Sequence, residues 1–182
     1  MITSFDTMIL NLIQEFIRND FFDTFFVFIT KLGDEGYVWI ALAILLLFRK
    51  DTRKYGVMVA IGLLLCLFVN NNALKPLVAR SRPCWVNPIE LLIPMPRGYS
   101  FPSGHTCSSM ASAYVLNKWN PKYGKYFYVL AILIAFSRLY LYVHYPTDVL
   151  AGIVVGTFCG FVPYWLDSKG YLSKFFKLLK CE

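Results

Sequence analysis

Two stretches of this sequence carry no charged side chain over a length that can cross a lipid bilayer. Residues 55–74 and residues 149–166 contain no Asp, Glu, Lys or Arg. A transmembrane helix needs about 20 mostly apolar residues, because the hydrocarbon core of a bilayer is roughly 30 Å thick. These two stretches therefore predict a chain that folds inside a membrane.

Three further segments support the same interpretation. Residues 98–117 carry no charge apart from His105, residues 36–48 carry none, and residues 126–143 are interrupted only by Arg138 near their end. The hydrophobic fraction of 57% also exceeds the roughly 45–50% that is typical of soluble domains. We therefore predict five membrane spans.

The first thirty residues are apolar but are interrupted by Glu15, Arg18, Asp20 and Asp23. This pattern fits an interfacial amphipathic helix, a sixth tilted span, or one of each. The segment has neither a basic start nor a small-residue cleavage site, so we do not expect a signal peptide. The predicted fold class is all-α. We expect a polytopic membrane helical bundle of about six helical segments, five spans and a two-part, partly interfacial N-terminal segment, in a single membrane-embedded domain over residues 1–182.

The basic residues predict the orientation of the bundle. Eleven of the 18 Lys and Arg residues lie in three segments, 49–54, 118–125 and 169–180. By the positive-inside rule these segments are cytoplasmic, so that residues 75–101 and 143–148 face the other side. The net charge of +7 is then mainly a topology signal with some attraction to anionic lipid, and it gives no reason to expect a nucleic-acid partner. We expect a multi-pass protein of the cell membrane.

Three separate segments bring polar residues to this non-cytoplasmic boundary. Each residue has a structural explanation by itself: cations snorkel at interfaces, serine caps helices, and an acid is favourable in a first helical turn. These explanations do not account for the whole set occurring together, whereas one bound phosphate does. The set comprises Lys75, Arg82, Ser103, Gly104, His105, Arg138, His144 and Asp148.

A phosphate suits these residues for physical reasons. A helix that begins at Ser103 directs free backbone N–H groups toward an anion, and Gly104 permits a close approach. Lys75, Arg82 and Arg138 would surround the same anion and stabilise its charge during phosphoryl transfer. Together these groups predict a phosphate-binding site at one face of the membrane.

Two histidines supply the groups that react. Asp148 follows His144 by four residues, so its carboxylate can orient one ring nitrogen and leave the other free to attack phosphorus. His105, one turn into the anion-binding helix, can protonate the leaving oxygen. This arrangement predicts a covalent, histidine-based transfer of a phosphoryl group.

The chain resembles the type 2 phosphatidic acid phosphatase family through three segments. These are "KPLVARSRP" from Lys75, "PSGH" at 102–105 and "SRLYLYVHYPTD", which ends at Asp148. The resemblance covers residues from about 29 to 166, and it implies a metal-independent phosphatase that needs no cofactor and works through a phosphohistidine. It implies that Lys75, Arg82, Ser103, Gly104 and Arg138 bind phosphate, that His105 is the acid, and that His144 is the nucleophile with Asp148 as its partner.

A site at a membrane surface favours lipid phosphates or pyrophosphates as substrates. Undecaprenyl pyrophosphate is our first expectation, followed by phosphatidylglycerophosphate and phosphatidic acid. A lipid phosphotransferase and a non-catalytic lipid-binding membrane protein are the alternatives. Arg80 and Arg97 are further candidates for contacting a second phosphate or head group. Gly152, Gly156 and Gly160 predict a close-packing face for a neighbouring helix, whose identity the sequence leaves open.

Overall fold

The computed structural model describes residues 4–178, and within that range it contains helices and loops but no β-strand. The all-α prediction is confirmed. Two segments, Ile13–Ile17 and Leu67–Leu74, form π-helix, which is wider than an α-helix. The α-helices are α1 Ser4–Leu12, α2 Asp20–Gly33, α3 Tyr37–Leu47, α4 Arg53–Cys66, α5 Lys75–Val78, α6 Pro83–Val86, α7 Gly104–Trp119, α8 Pro121–Tyr140, α9 Pro146–Ser168 and α10 Ser173–Leu178.

Side chains of the sequence account for where several helices begin. The Asn19 side chain accepts a hydrogen bond from the Phe22 backbone N–H at 3.0 Å and caps α2. Asn120 caps α8 in the same way, and Pro121 follows it at the first helical position, where the missing N–H costs nothing. These caps define where α2 and α8 begin, which the apolar interiors of the two helices do not indicate.

Helix α7 lies at the centre of the bundle, where it packs against α4, α8 and α9. Its middle consists of small side chains that are almost fully buried, Ser109, Ala111, Ser112 and Ala113 among them. The indole N–H of Trp39 donates to Ser109 Oγ at 2.9 Å, so α3 also contacts α7 through a satisfied polar pair. Small side chains allow the backbones of the surrounding helices to approach closely.

The three glycines of α9 pack against α7 of the same chain. A Cβ atom at Gly156 would lie 2.3 Å from the Cys107 carbonyl oxygen, and one at Gly160 would lie 2.4 Å from that of Ala111. Real Cβ atoms do not approach backbone oxygens so closely. The neighbour that the sequence left open is therefore α7.

Helices α2 and α3 form one broken helical run. Gly36, in the 3-10 turn between them, lies beside Leu63 toward the end of α4, and Ala43 packs against Gly56 near the start of α4. At 11 residues α3 is only about 16 Å long. The segment predicted as a complete span over residues 36–48 is therefore the second part of a longer, interrupted run.

The N-terminal segment is two-part, as predicted, with a break at Arg18 and Asn19 between α1 and α2. Leu10 and Ile13 are buried against the loop that connects α8 to α9, including Tyr142. Helix α1 therefore covers the end of the bundle at which α8 ends and α9 begins.

The outer surface of the bundle is strongly apolar. Within the described residues, two helical runs, Arg53–Val86 and Pro146–Ser168, are long and apolar enough to cross a membrane. Large hydrophobic side chains point outward from several helices, including Phe28, Leu45, Leu64, Phe68, Ile132, Val154 and Phe158. A patch of this extent is stable only when lipid or another apolar partner covers it.

Candidate active site

The three predicted segments meet at one end of the bundle. Six of the eight predicted site residues line a single cavity of about 880 Å³: Lys75, Arg82, Gly104, His105, Arg138 and His144. The other two, Ser103 and Asp148, are fully buried behind the cavity wall. The structure therefore brings together groups that lie up to 73 positions apart in the chain.

Ser103 caps α7 from a buried position. Its hydroxyl oxygen accepts hydrogen bonds from the Thr106 backbone N–H at 3.4 Å and from Thr106 Oγ1 at 2.9 Å. Gly104 lines the cavity, and a Cβ atom there would lie 3.8 Å from Lys75 Nζ. The start of α7 thus presents backbone and the lysine ammonium to the same space, as an anion site requires.

Arg82 is held by backbone carbonyls of two loops. Its Nε donates to Gly98 O at 2.9 Å, and its Nη1 donates to Val143 O at 2.9 Å. Arg138 is also buried, and it donates to Thr30 Oγ1 from α2. Both guanidinium groups are therefore oriented by neutral oxygens, which leave their positive charges available to an anion.

His144 lies between Arg82 and Asp148, which face opposite ring nitrogens. Arg82 Nη1 is 3.2 Å from His144 Nε2. Because arginine can only donate, Nε2 is the acceptor, and in the neutral ring the proton is on Nδ1. Nδ1 lies 3.5 Å from Asp148 Oδ2, which is longer than an ordinary hydrogen bond. The ring therefore turns an unprotonated nitrogen toward Arg82 and the cavity.

The electrostatic surroundings keep His144 neutral. Burial is the main cause that lowers its pKa well below the ordinary histidine value, and the positive charges of Arg82, Arg138 and Lys75 add to the effect. A neutral imidazole has the lone pair that a nucleophile needs. The cations of the cavity thus suit both an anionic ligand and a reactive histidine.

Arg80 does not face the cavity, so the expectation that it contacts a second phosphate is wrong for this structure. Its Nη1 lies 2.5 Å from Asp148 Oδ1, and its Nη2 lies 2.6 Å from Asp6 Oδ2. The guanidinium also stacks over the Tyr145 ring, 4.1 Å from its centroid. Arg80 joins α1 to the carboxylate behind His144. Arg97, by contrast, lines the cavity.

Both carboxylate oxygens of Asp148 have hydrogen-bond donors. In addition to Arg80, it accepts a hydrogen bond from the Tyr145 backbone N–H at 2.8 Å, in a capping arrangement at the start of α9. Asp6 in turn accepts from the Thr147 backbone N–H at 3.0 Å. The sequence offered one signal for this network, namely acidic residues in the first turns of α1 and α9, but not the arginine that joins them.

His105 has a partner outside the three segments. Its Nε2 lies 2.9 Å from Oδ1 of Asp34, in the turn between α2 and α3. The sequence does not single out Asp34, which appears there only as a carboxylate close to two glycines.

One side-chain cluster in the described part of the chain has metal-ligand chemistry. The sulfur atoms of Cys66, Cys107 and Cys159 lie within 4.8 Å of one another, although their spacing in the sequence is not typical of a metal site. Apolar side chains pack against them, the buried Ala111 and the partly buried Val155 among them. Burying thiolates in such a shell is costly, so we interpret the three cysteines as packing residues.

Known proteins resemble this chain in sequence. A sequence profile of the PAP2 superfamily matches residues 51–171. The undecaprenyl-diphosphatase of Sulfolobus acidocaldarius is 38% identical over 156 residues, which make up 85% of this chain and 75% of that protein. The matched range includes all eight predicted site residues. It begins after Asp6 and Asp34, which therefore lie outside it.

Two solved structures share the fold. The crystal structure of Aquifex aeolicus LpxE has a TM-score of 0.79 at 27% identity, covering 89% of this chain and 96% of the other. That of the PAP2 type phosphatidylglycerolphosphate phosphatase from Bacillus subtilis has a TM-score of 0.73 at 28% identity, covering 90% and 85%. The helical arrangement is thus shared along nearly the whole length of the chains.

Proposed function

Because the chain belongs to the PAP2 superfamily and is a membrane phosphatase, we propose that it hydrolyses a lipid phosphate or pyrophosphate through a phosphohistidine intermediate on His144. One observation carries the proposal. Three predicted phosphate-binding cations and both histidines of the chain line a single cavity, which also has an apolar wall. This combination suits a ligand that has an anionic head and a lipid chain.

Five residues are proposed to bind the phosphate. Lys75, Arg82 and Arg138 contribute positive charge around the cavity, and Gly104 contributes backbone at the start of α7. Ser103, buried as the cap of that helix, would act by holding the helix start in place. Stabilising the oxygens of the transferred group in this way lowers the barrier to phosphoryl transfer.

The proposed reaction has two steps. In the first, His144 Nε2 forms a bond to phosphorus while the bond to the leaving oxygen breaks, and His105 gives its proton to that oxygen. In the second, His105 takes a proton from water, the water oxygen bonds to phosphorus, and the N–P bond returns its electron pair to Nε2. Asp148 stabilises the Nδ1–H side of His144 throughout. No step in this sequence requires a metal ion.

An apolar groove leads away from the histidines between α3 and α4. Its walls are Ile40, Ala43, Ile44 and Leu47 on α3 and Ala60, Leu63, Leu64 and Leu67 on α4. A chain of CH₂ or isoprenoid units bound there would leave water at about 25 cal/mol per Å² buried. We therefore favour undecaprenyl pyrophosphate as substrate, with phosphatidylglycerophosphate and phosphatidic acid as the other candidates.

The proposed topology is that of a multi-pass protein of the cell membrane whose active site faces the non-cytoplasmic side. The broken run α2–α3, together with α4, α7, α8 and α9, would give five crossings, and α1 would lie at the outer interface. The basic segments around Arg53, Lys118 and Lys169 are at the end of the bundle opposite His144. We propose that the whole chain, residues 1–182, forms one membrane-embedded phosphatase domain.

Phosphate release tests the proposed function. The purified protein in detergent with EDTA is given undecaprenyl pyrophosphate, phosphatidylglycerophosphate or phosphatidic acid. We expect release in the presence of the chelator, fastest with the pyrophosphate, and a loss of about 10⁴-fold or more in kcat for His144→Ala, because the nucleophile is gone. Asp51→Asn, which changes an exposed loop carboxylate, is the control.

Two results would contradict the proposal. Full activity of His144→Ala would exclude the phosphohistidine route. Transfer of the phosphoryl group to an added alcohol with no release of phosphate in water would show a phosphotransferase instead of a hydrolase.

A further inference from the structure

His105 has an acidic neighbour that comes from outside the three site segments. Its Nε2 is bonded to Asp34 Oδ1 at 2.9 Å, and the histidine side chain is 19% exposed. Among the described residues, Asp34 is the only acid that forms an ion pair with this ring. Because Nε2 is occupied, Nδ1 is the ring atom that can exchange a proton with a ligand in the cavity.

The backbone between α2 and α3 explains why the carboxylate lies there. Asp34 is followed by Glu35 and Gly36, whose φ angles are 47° and 75°. Positive φ at a non-glycine residue is uncommon and is kept where the surrounding structure requires it. The left-handed turn interrupts the helical run, and it leaves the Asp34 side chain facing α7 instead of continuing along a helix.

The same turn brings backbone against the histidine ring. A Cβ atom at Gly33 would lie 2.9 Å from His105 Cδ2 and 2.7 Å from Ile134 Cγ2. The ring is therefore held on one side by the backbone of α2 and at Nε2 by Asp34. Both contacts restrict the direction in which Nδ1 can point.

Asp34 counteracts the positive charges around the His105 ring. Lys75 and Arg138 both lie near the ring, and their charges oppose a further positive charge on it. The charged groups that face Asp34 are His105 on α7, Arg138 on α8 and Lys31 near the end of α2. The negative charge of the Asp34 carboxylate therefore offsets the repulsion between the imidazolium and the two cations.

We propose that Asp34 is the positioning residue of the general acid: it orients the His105 ring and stabilises its protonated form, so that Nδ1–H faces the leaving oxygen. This inference rests on the proposed function, in which His105 protonates that oxygen. The proton passes from Nδ1 to the oxygen as the P–O bond breaks, and the ring recovers a proton from the attacking water. Asp34 acts only through His105.

Asp34→Asn tests the inference with two leaving groups. Asparagine keeps the shape of the side chain and can accept the same hydrogen bond, but it carries no charge. Phosphatidic acid loses an alkoxide, which needs a proton, whereas p-nitrophenyl phosphate loses a phenolate that is stable without one. We expect kcat to fall about 10²-fold with phosphatidic acid and less than about tenfold with p-nitrophenyl phosphate, and KM to change little.

The pH profile and a double mutant separate positioning from a structural role. Without the carboxylate the protonated ring is less stable, so the alkaline limb of the kcat profile for phosphatidic acid should move to lower pH. In a His105→Ala background, Asp34→Asn should cause no further loss, because the residue through which it acts is absent. Asp51→Asn serves again as the matched carboxylate control.

The results distinguish a failure of the positioning role from a failure of the proposed function. Equal losses with both leaving groups, or a further loss in the His105→Ala background, would overturn the positioning role. If wild type released phosphate from neither compound, and also from none of the other candidate lipid substrates, the proposed function itself would be overturned.

Discussion

His144 shows how much the chemistry of one side chain depends on its two neighbours. Arg82 and Asp148 face opposite ring nitrogens, at 3.2 Å and 3.5 Å. The pair fixes the tautomer that a nucleophile needs, and burial together with the nearby cations keeps the ring unprotonated. A histidine with the same spacing to an aspartate but no arginine would not have a defined unprotonated nitrogen.

The chain has only two histidines, which makes this state measurable. In a His105→Gln variant, ¹⁵N NMR of the imidazole reports His144 alone. Because its pKa lies well below the ordinary histidine value of about 6.5, we expect a neutral ring with the proton on Nδ1 at pH 6.5. The signal should change to that of imidazolium only at lower pH. An imidazolium signal at pH 6.5 would contradict the proposed nucleophile.

At the scale of elements, α7 and α9 approach closely because each presents small residues to the other. Gly156 and Gly160 lie against the carbonyl oxygens of Cys107 and Ala111 at distances that leave no room for a methyl group. The same contact fixes the starts of both helices, where His105 and Asp148 lie. Close packing in the membrane thus also sets the geometry of the site.

Gly156→Ala should therefore destabilise the protein. A Cβ atom 2.3 Å from a backbone oxygen forces α9 away from α7, at a cost of about 2 kcal/mol. That corresponds to a decrease of about 4–8 °C in Tm, measured by thermal unfolding in detergent. Val154→Ala, at an outward-facing position of the same helix, should change the stability by about 0.5 kcal/mol or less. Equal effects of the two variants would count against the packing argument.

At the scale of the whole molecule, the basic loop segments and the site lie at opposite ends of the bundle. Lys118 and Lys122 lie where α7 turns into α8, whereas Glu90 and the cavity lie at the opposite end. By the positive-inside rule, we propose that the site faces away from the cytoplasm. This orientation would suit a substrate that is presented on the outer leaflet.

Cysteine labelling in intact cells tests the orientation. Glu90 and Lys122 are both exposed, and the four described cysteines are buried, so a Cys181→Ser background gives little labelling of its own. A membrane-impermeant maleimide should label Glu90→Cys directly and Lys122→Cys only after the membrane is opened. The reverse pattern would invert the proposed topology.

The sequence alone determined the membrane class, the helical fold and the resemblance to the family, which the comparisons confirm. Those properties depend on local features, namely the apolarity of continuous segments and the spacing of Lys75, His105 and His144 within short motifs. Such features can be read without knowing which helices touch.

Only the tertiary structure decided which side chains act on the motif residues. Asp34 lies far along the chain from His105 and contacts it from a left-handed turn, and Asp6 contacts Arg80 from α1. The sequence made Arg80 a candidate for contacting a second phosphate, yet it points away from the cavity, toward two carboxylates. The physical reason is that hydrogen bonds and ion pairs act over a few ångströms, so their partners are set by helix packing and not by distance along the chain.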